Sequence, residues 1–189
     1  MTDSRQLTVA NHLQRDLRLD GWTVNGIGPS SHKTEDWVRL ILSIRIHTTL
    51  PVALREIYER TQSCMVYGCY HYPLFTLGIE ELFRFLESAL RAAIAETGAS
   101  EATLKQTYAK LIYWARNEAL IDPETAIRWD AARHLRNSTT HKSETMLFGP
   151  NHALGQLTIA KELTEELFES CRLHSQLSSQ SPQASLSEI

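Results

Sequence analysis

Residues 73–94 read PLFTLGIEELFRFLESALRAAI. Leu74, Phe75, Leu77, Ile79, Leu82, Phe83, Phe85, Leu86, Ala89, Leu90, Ala93 and Ile94 set apolar groups on nearly every side of a helix. A helix that is apolar all round needs neighbours all round, which is the place of the central helix of a bundle. Gly98 supplies its stop.

The flanking stretches provide those neighbours. Upstream, Thr34 is a candidate N-cap with Glu35 and Asp36 in the first turn, and Trp37, Leu40, Ile41 and Ile44 follow at helical spacing. Pro51 opens a shorter helix carrying Leu54, Ile57 and Tyr58, and SCMVYGCYHYP (residues 63–73) reads as a connection. Downstream comes an amphipathic helix with Leu104, Tyr108, Leu111, Ile112 and Ala115. Asp122 and Pro123 then start a helix with Ile127, Ala131 and Leu135. Gly149-Pro150 precede a last helix carrying Leu154, Leu157, Ala160, Leu163, Leu167 and Phe168. No stretch alternates with period two. The reading is all-α: an antiparallel helical bundle of about four or five helices. Residues 1–33 read as an N-terminal extension, 34–174 as the helical domain, and the Ser/Gln-rich residues 175–189 as a disordered tail.

The chain has 189 residues, a hydrophobic fraction of 42% and a formal net charge of -3. An acidic protein is not a constitutive nucleic-acid binder, so any RNA contact has to use a local patch. Three cysteines, Cys64, Cys69 and Cys171, make an odd count that argues against a disulfide scaffold and fits a cytoplasmic location. The first residues, MTDSRQLTVANHLQRDLRLDG, have no apolar core of a signal peptide, and no long apolar run predicts a membrane span. Cys64, Cys69 and His71 supply three metal-ligand types without an obvious fourth, so no metal site is expected and buried free cysteines are the simpler reading. No cofactor is expected, since no Gly-rich phosphate loop is present.

Residues 128–142 read RWDAARHLRNSTTHK. Arg128, Arg133, Arg136 and Lys142 stand against Asp130 alone, so positive charge is concentrated here. Arg136, followed by Asn137 and, five positions on, by His141, makes a constellation suited to RNA cleavage. An imidazole near its neutral-pH range can take the proton of a ribose 2′-OH. The freed oxygen attacks phosphorus, and an arginine fork offsets charge on the phosphoryl oxygens. Asn137 can hold the imidazole or a phosphate. The RNA supplies its own nucleophile, so no metal is required, and the products are a 2′,3′-cyclic phosphate and a 5′-OH.

Arg136-Asn137-Ser138-Thr139-Thr140-His141 is similar to the R-x4-6-H signature of HEPN domains. The stretch YPLFTLGIEELFRFLESALRAAI looks like that family's central helix, and LGQLTIAKELTEELF resembles its last helix. The resemblance covers about residues 70–172. It implies a homodimer in which two Arg-His pairs face one RNA-binding cleft, and a role as a toxin or in antiviral defence, with a nucleotidyltransferase antitoxin as a partner. It carries Arg136 and His141 over as the catalytic pair and Asn137 as their auxiliary. Glu87 is a further candidate, as a polar group that orients Arg136. Arg133, His134, Lys142 and Arg128 are candidate RNA-binding residues, with a solvated helix face as the alternative for Arg133 and His134. A metal-independent endoribonuclease is the favoured reading. The other is a non-catalytic HEPN-like module that binds RNA, a nucleotide or a partner protein.

Overall fold

The computed structural model describes residues 7–20, 22, 34–141 and 148–180. Among them lie a 3-10 turn at Leu17–Leu19 and seven α-helices: α1 Thr34–Ser43, α2 Val52–Tyr67, α3 Pro73–Glu96, α4 Glu101–Leu104, α5 Tyr108–Asn117, α6 Pro123–His141 and α7 Pro150–Gln180. No strand occurs among the described residues, so the fold is all-α. The chain forms two compact units, each built from two stretches: Met1–Leu82 with His141–Lys161, and Phe83–Thr140 with Glu162–Ile189.

In the first unit, the inward faces of α1 and α2 meet the start of α3. Trp37 is fully buried, donates its indole N–H to the Met65 carbonyl at 3.1 Å, and stands edge-on to Phe75 with centroids 5.7 Å apart. The helix α2 runs through Tyr67, so residues 63–67, read from the sequence as a connection, are helical. The reason is burial on one face: Leu54, Tyr58, Thr61, Gln62 and Met65 recur three and four apart. The true turn is Gly68, where a Cβ would lie 2.7 Å from the Phe75 ring. From the second stretch, the Phe148 amide donates to Thr76 Oγ1 at 3.1 Å, just before α7 begins.

The N-terminal segment is more than an appendage to this unit. The Asp16 carboxylate is buried and accepts from the Tyr72 amide at 2.8 Å, one residue before α3. It also accepts from Arg18 Nε at 2.9 Å and Nη2 at 2.6 Å, while the Asp16 amide donates to the Cys69 carbonyl at 3.1 Å. Burial pushes the Asp16 carboxyl up, but the Arg18 guanidinium and the backbone N–H donors outweigh it and hold its pKa at about 2. Leu19 is fully buried beside it in sequence.

The second unit is centred on the rest of α3. Phe83, Phe85, Leu86, Ala89, Leu90, Ala93 and Ile94 are all buried, as an all-round apolar helix requires. Gly98 has φ 79, the left-handed conformation that ends a helix. The single amphipathic helix expected around residues 104–115 is broken into α4 and α5, which accounts for part of the higher helix count. Arg91 of α3 sits at the break and donates to the carbonyls of Leu104 and Gln106, the latter at 3.0 Å. These are carbonyls that a continuous helix would have satisfied itself. Asp122 caps α6 by accepting from the Thr125 amide at 2.7 Å. The last helix, α7, runs to Gln180, past the boundary at 174 drawn from the sequence; the rest of the expected tail, residues 181–189, lies outside the described residues.

Candidate functional site

The candidate residues sit on α6, which starts at the Asp122 cap with Pro123 in its first turn and continues as one helix to His141. Trp129 and Ala132 are buried on its inner face, and Arg133 and Arg136 continue that face at spacings of three and four. Ile127, His134 and Asn137 are exposed on the other side. Helical register therefore separates the two halves of the R-x4-H pattern. Five residues turn the helix by about 500°, leaving position 141 roughly 140° round the axis from position 136. Position 137, four residues before 141, shares its face instead.

Arg136 is anchored from α3. Its Nη1 donates to Glu87 Oε2 in a short contact, and the Arg136 side chain is 37% exposed against 20% for Glu87. The other Glu87 oxygen accepts from Arg91 Nη2 at 2.7 Å, so one carboxylate stands between two guanidiniums. Arg91 in turn holds the α4–α5 break, so the fixing of Arg136 runs through α3 to the start of α5.

Tyr108, the first residue of α5, packs edge-on against Trp129 with centroids 6.4 Å apart. Neither its hydroxyl nor the Trp129 indole N–H has a hydrogen-bond partner among the described residues. Burial pushes the Tyr108 hydroxyl above the usual tyrosine range; the Glu87 charge adds to this, and Arg136 and Arg133 oppose it. The group is therefore a neutral phenol beside the ion-pair cluster. Arg91, Tyr108 and Trp129 were not among the residues picked out from the sequence. The spacing of Glu87 and Arg91, four apart on a helix, was a visible signal. Tyr108 was visible only as part of an apolar stripe, and Trp129 was missed because the inner face of α6 carries Ala126, Trp129 and Ala132, while Ile127 and Ala131 of the expected stripe are exposed.

The other basic residues are also matched by acids. Arg128 reaches Glu162 at 2.9 Å and Glu166 at 3.3 Å, both on α7. Arg133 Nε donates to Asp130 at 2.7 Å, and this bond lowers the Asp130 pKa. His134 Nε2 lies 3.2 Å from Asp130 and 2.7 Å from Arg133 Nη2. The positive run of the sequence thus becomes, in the fold, a set of ion pairs rather than a bare basic patch. Lys142 lies outside the described residues, and His141 is described only as the last position of α6.

Away from this cluster, the described cysteines are free thiols. Burial pushes Cys69 up to about 12 and Cys171 to about 11, and it raises Cys64 as well. Among the described residues no group of three His, Cys, Asp or Glu could hold a metal ion, and no helix is long and apolar enough to cross a membrane. No family model, no curated protein and no solved structure matches the chain.

Proposed function

We propose that the chain is a metal-independent endoribonuclease of the HEPN type that works as a homodimer. One observation carries this reading: the arginine that opens the R-x4-H segment is held by a carboxylate from the central helix. A guanidinium with one Nη on a carboxylate has a restricted plane, so less ordering remains to be done when a phosphoryl group arrives. In the proposed reaction His141 takes the 2′-OH proton, the 2′-oxygen bonds to phosphorus, and the P–O5′ bond breaks. The 5′-oxygen leaves and takes its proton from solvent water. Arg136 offsets the charge on the phosphoryl oxygens, and Asn137 holds the imidazole. The roughly 140° between positions 136 and 141 along one helix favours a cleft that two copies line together. A place in toxin–antitoxin or antiviral systems, beside a nucleotidyltransferase antitoxin, belongs to the same proposal.

The test is RNA cleavage in EDTA by the wild type, Arg136→Ala and His141→Ala. The expected outcome is cleavage that survives EDTA, leaves 2′,3′-cyclic phosphate ends, and falls by a factor of about 100 or more in each variant. Equal background in all three proteins would sink the enzyme reading. A second reading, a non-catalytic module that binds RNA, a nucleotide or a protein, is favoured by a different observation. Arg128, Arg133 and Arg136 are all committed to carboxylates, which lowers the free positive charge facing a polyanion.

A further inference from the structure

A second place in the fold gathers positive charge, and there it is not matched. A cleft of about 300 Å³ in the first unit lies between α2 and the end of α1 with the segment that follows it. Arg45 and Arg55 both line it. Elsewhere Arg18, Arg60, Arg91, Arg128, Arg133 and Arg136 each hold a carboxylate. Arg45 and Arg55 hold none among the described residues. Each spends only its Nε, on a backbone carbonyl: Arg45 on Leu42 and Arg55 on Leu50, both at 3.3 Å. That bond orients the fork and leaves the Nη groups for something else.

The frame under the two forks is fixed. The segment carrying Arg45 is tied to the helix carrying Arg55 by two buried side chains of α2. The Tyr58 hydroxyl donates to the Ile44 carbonyl at 2.9 Å. Gln62 Nε2 donates to the carbonyls of Ile41 at 2.9 Å and Ile44 at 3.1 Å. Tyr58 is 1% exposed and Gln62 7%, so these ties are sheltered from water. Thr48 brings a hydroxyl to the lining, while Leu42 and Ile46 make its apolar part over the buried Tyr58. Glu59 is the one acid there, and it pairs with neither arginine.

We infer that this cleft binds the phosphoryl group of a small molecule, held by the Arg45 and Arg55 forks with its apolar or planar body against Leu42 and Ile46. Two guanidiniums on a preorganised frame suit a doubly charged oxyanion, since each can give two parallel N–H bonds to it. The volume is at the lower end of small-ligand sites. Glu59 disfavours an extended polyanion such as RNA, whose neighbouring phosphates would meet its charge, more than a single phosphoryl head. The inference uses no residue of the α6 motif and stands or falls apart from the ribonuclease reading.

The experiment is calorimetric titration of the full chain with pyrophosphate, adenosine 5′-monophosphate, adenosine and a short ribo-oligonucleotide. Saturable binding of the first two and none of adenosine is expected. Arg45→Gln and Arg55→Gln should each weaken it by at least about tenfold. Glu59→Gln should tighten it. Arg45 is exposed, so Arg45→Gln removes a fork without touching the core, and it decides the matter if Arg55→Gln fails to fold. Thermal melts of each variant identify that case. No saturation by either phosphorylated probe, binding unchanged in Arg45→Gln, or binding of the oligonucleotide alone would each overturn the assignment.

Discussion

Glu87 is the residue on which the candidate site turns. Its two oxygens serve two arginines, and each arginine does something different: Arg91 closes the α4–α5 break and Arg136 opens the motif. Glu87→Gln keeps the size and removes the charge, leaving two guanidiniums side by side. Arg136 is more than a third exposed, so solvent screens the loss, and destabilisation of about 1 kcal/mol is expected in urea unfolding. A variant as stable as the wild type would mean that Glu87 is not what holds Arg136. The contact was approachable from the sequence, because an acid midway along a helix that is apolar on nearly every side needs a cation. The Arg128 pairs with Glu162 and Glu166 were not, since both acids lie on the exposed side of α7, where a carboxylate needs no partner.

At the scale of elements, the sequence showed helices where a local cause sets them and missed boundaries set by distant ones. The apolar run of α3 and the Asp122-Pro123 start of α6 are local signals, and both elements are there. The α4–α5 break is bridged by Arg91, 13 and 15 residues earlier, and the one local hint within 101–117 is Thr107, the extended residue before α5. The last turn of α2 was hidden by a composition of Cys, Tyr and Gly that resembles a connection. Gly98 is a clean test of a local stop. A Cβ there meets nothing within 4 Å, so only its φ of 79 resists substitution. Gly98→Ala should cost about 1 kcal/mol through backbone strain alone, as a lowered unfolding midpoint in denaturant with an unchanged slope. No change would show that α3 can end without a left-handed residue.

At the scale of the whole molecule, the first unit should lose stability in acid in a defined window. The Asp16 carboxyl has a folded pKa of about 2 against an ordinary value of 3.8. A depressed carboxyl stabilises the fold fully above its unfolded pKa and loses that contribution as pH falls through the folded one. A term of about 2 kcal/mol should therefore fade between roughly pH 4 and pH 2. Unfolding free energies measured at pH 5 and pH 2 on the wild type and Asp16→Asn check this. The wild type should fall further than the variant, and equal falls would remove Asp16 as the cause. The whole-molecule class, all-α, was legible in the patterning of α3 and its flanks. The division into two units was not, because each unit takes its chain from two separated stretches.

The same aspartate has a bearing on how the chain comes to be folded. Asp16 emerges from the ribosome well before Tyr72, the residue whose amide it caps, and 56 positions separate them. The cap on α3 is therefore a late contact. It has to wait until α1 and α2 have been made, and closing so long a loop costs entropy that local helix contacts do not. The N-terminal turn should then be the last part of the first unit to lock and the first to come away, so that early proteolytic clipping beyond residue 15 would reach the central helix at its very start.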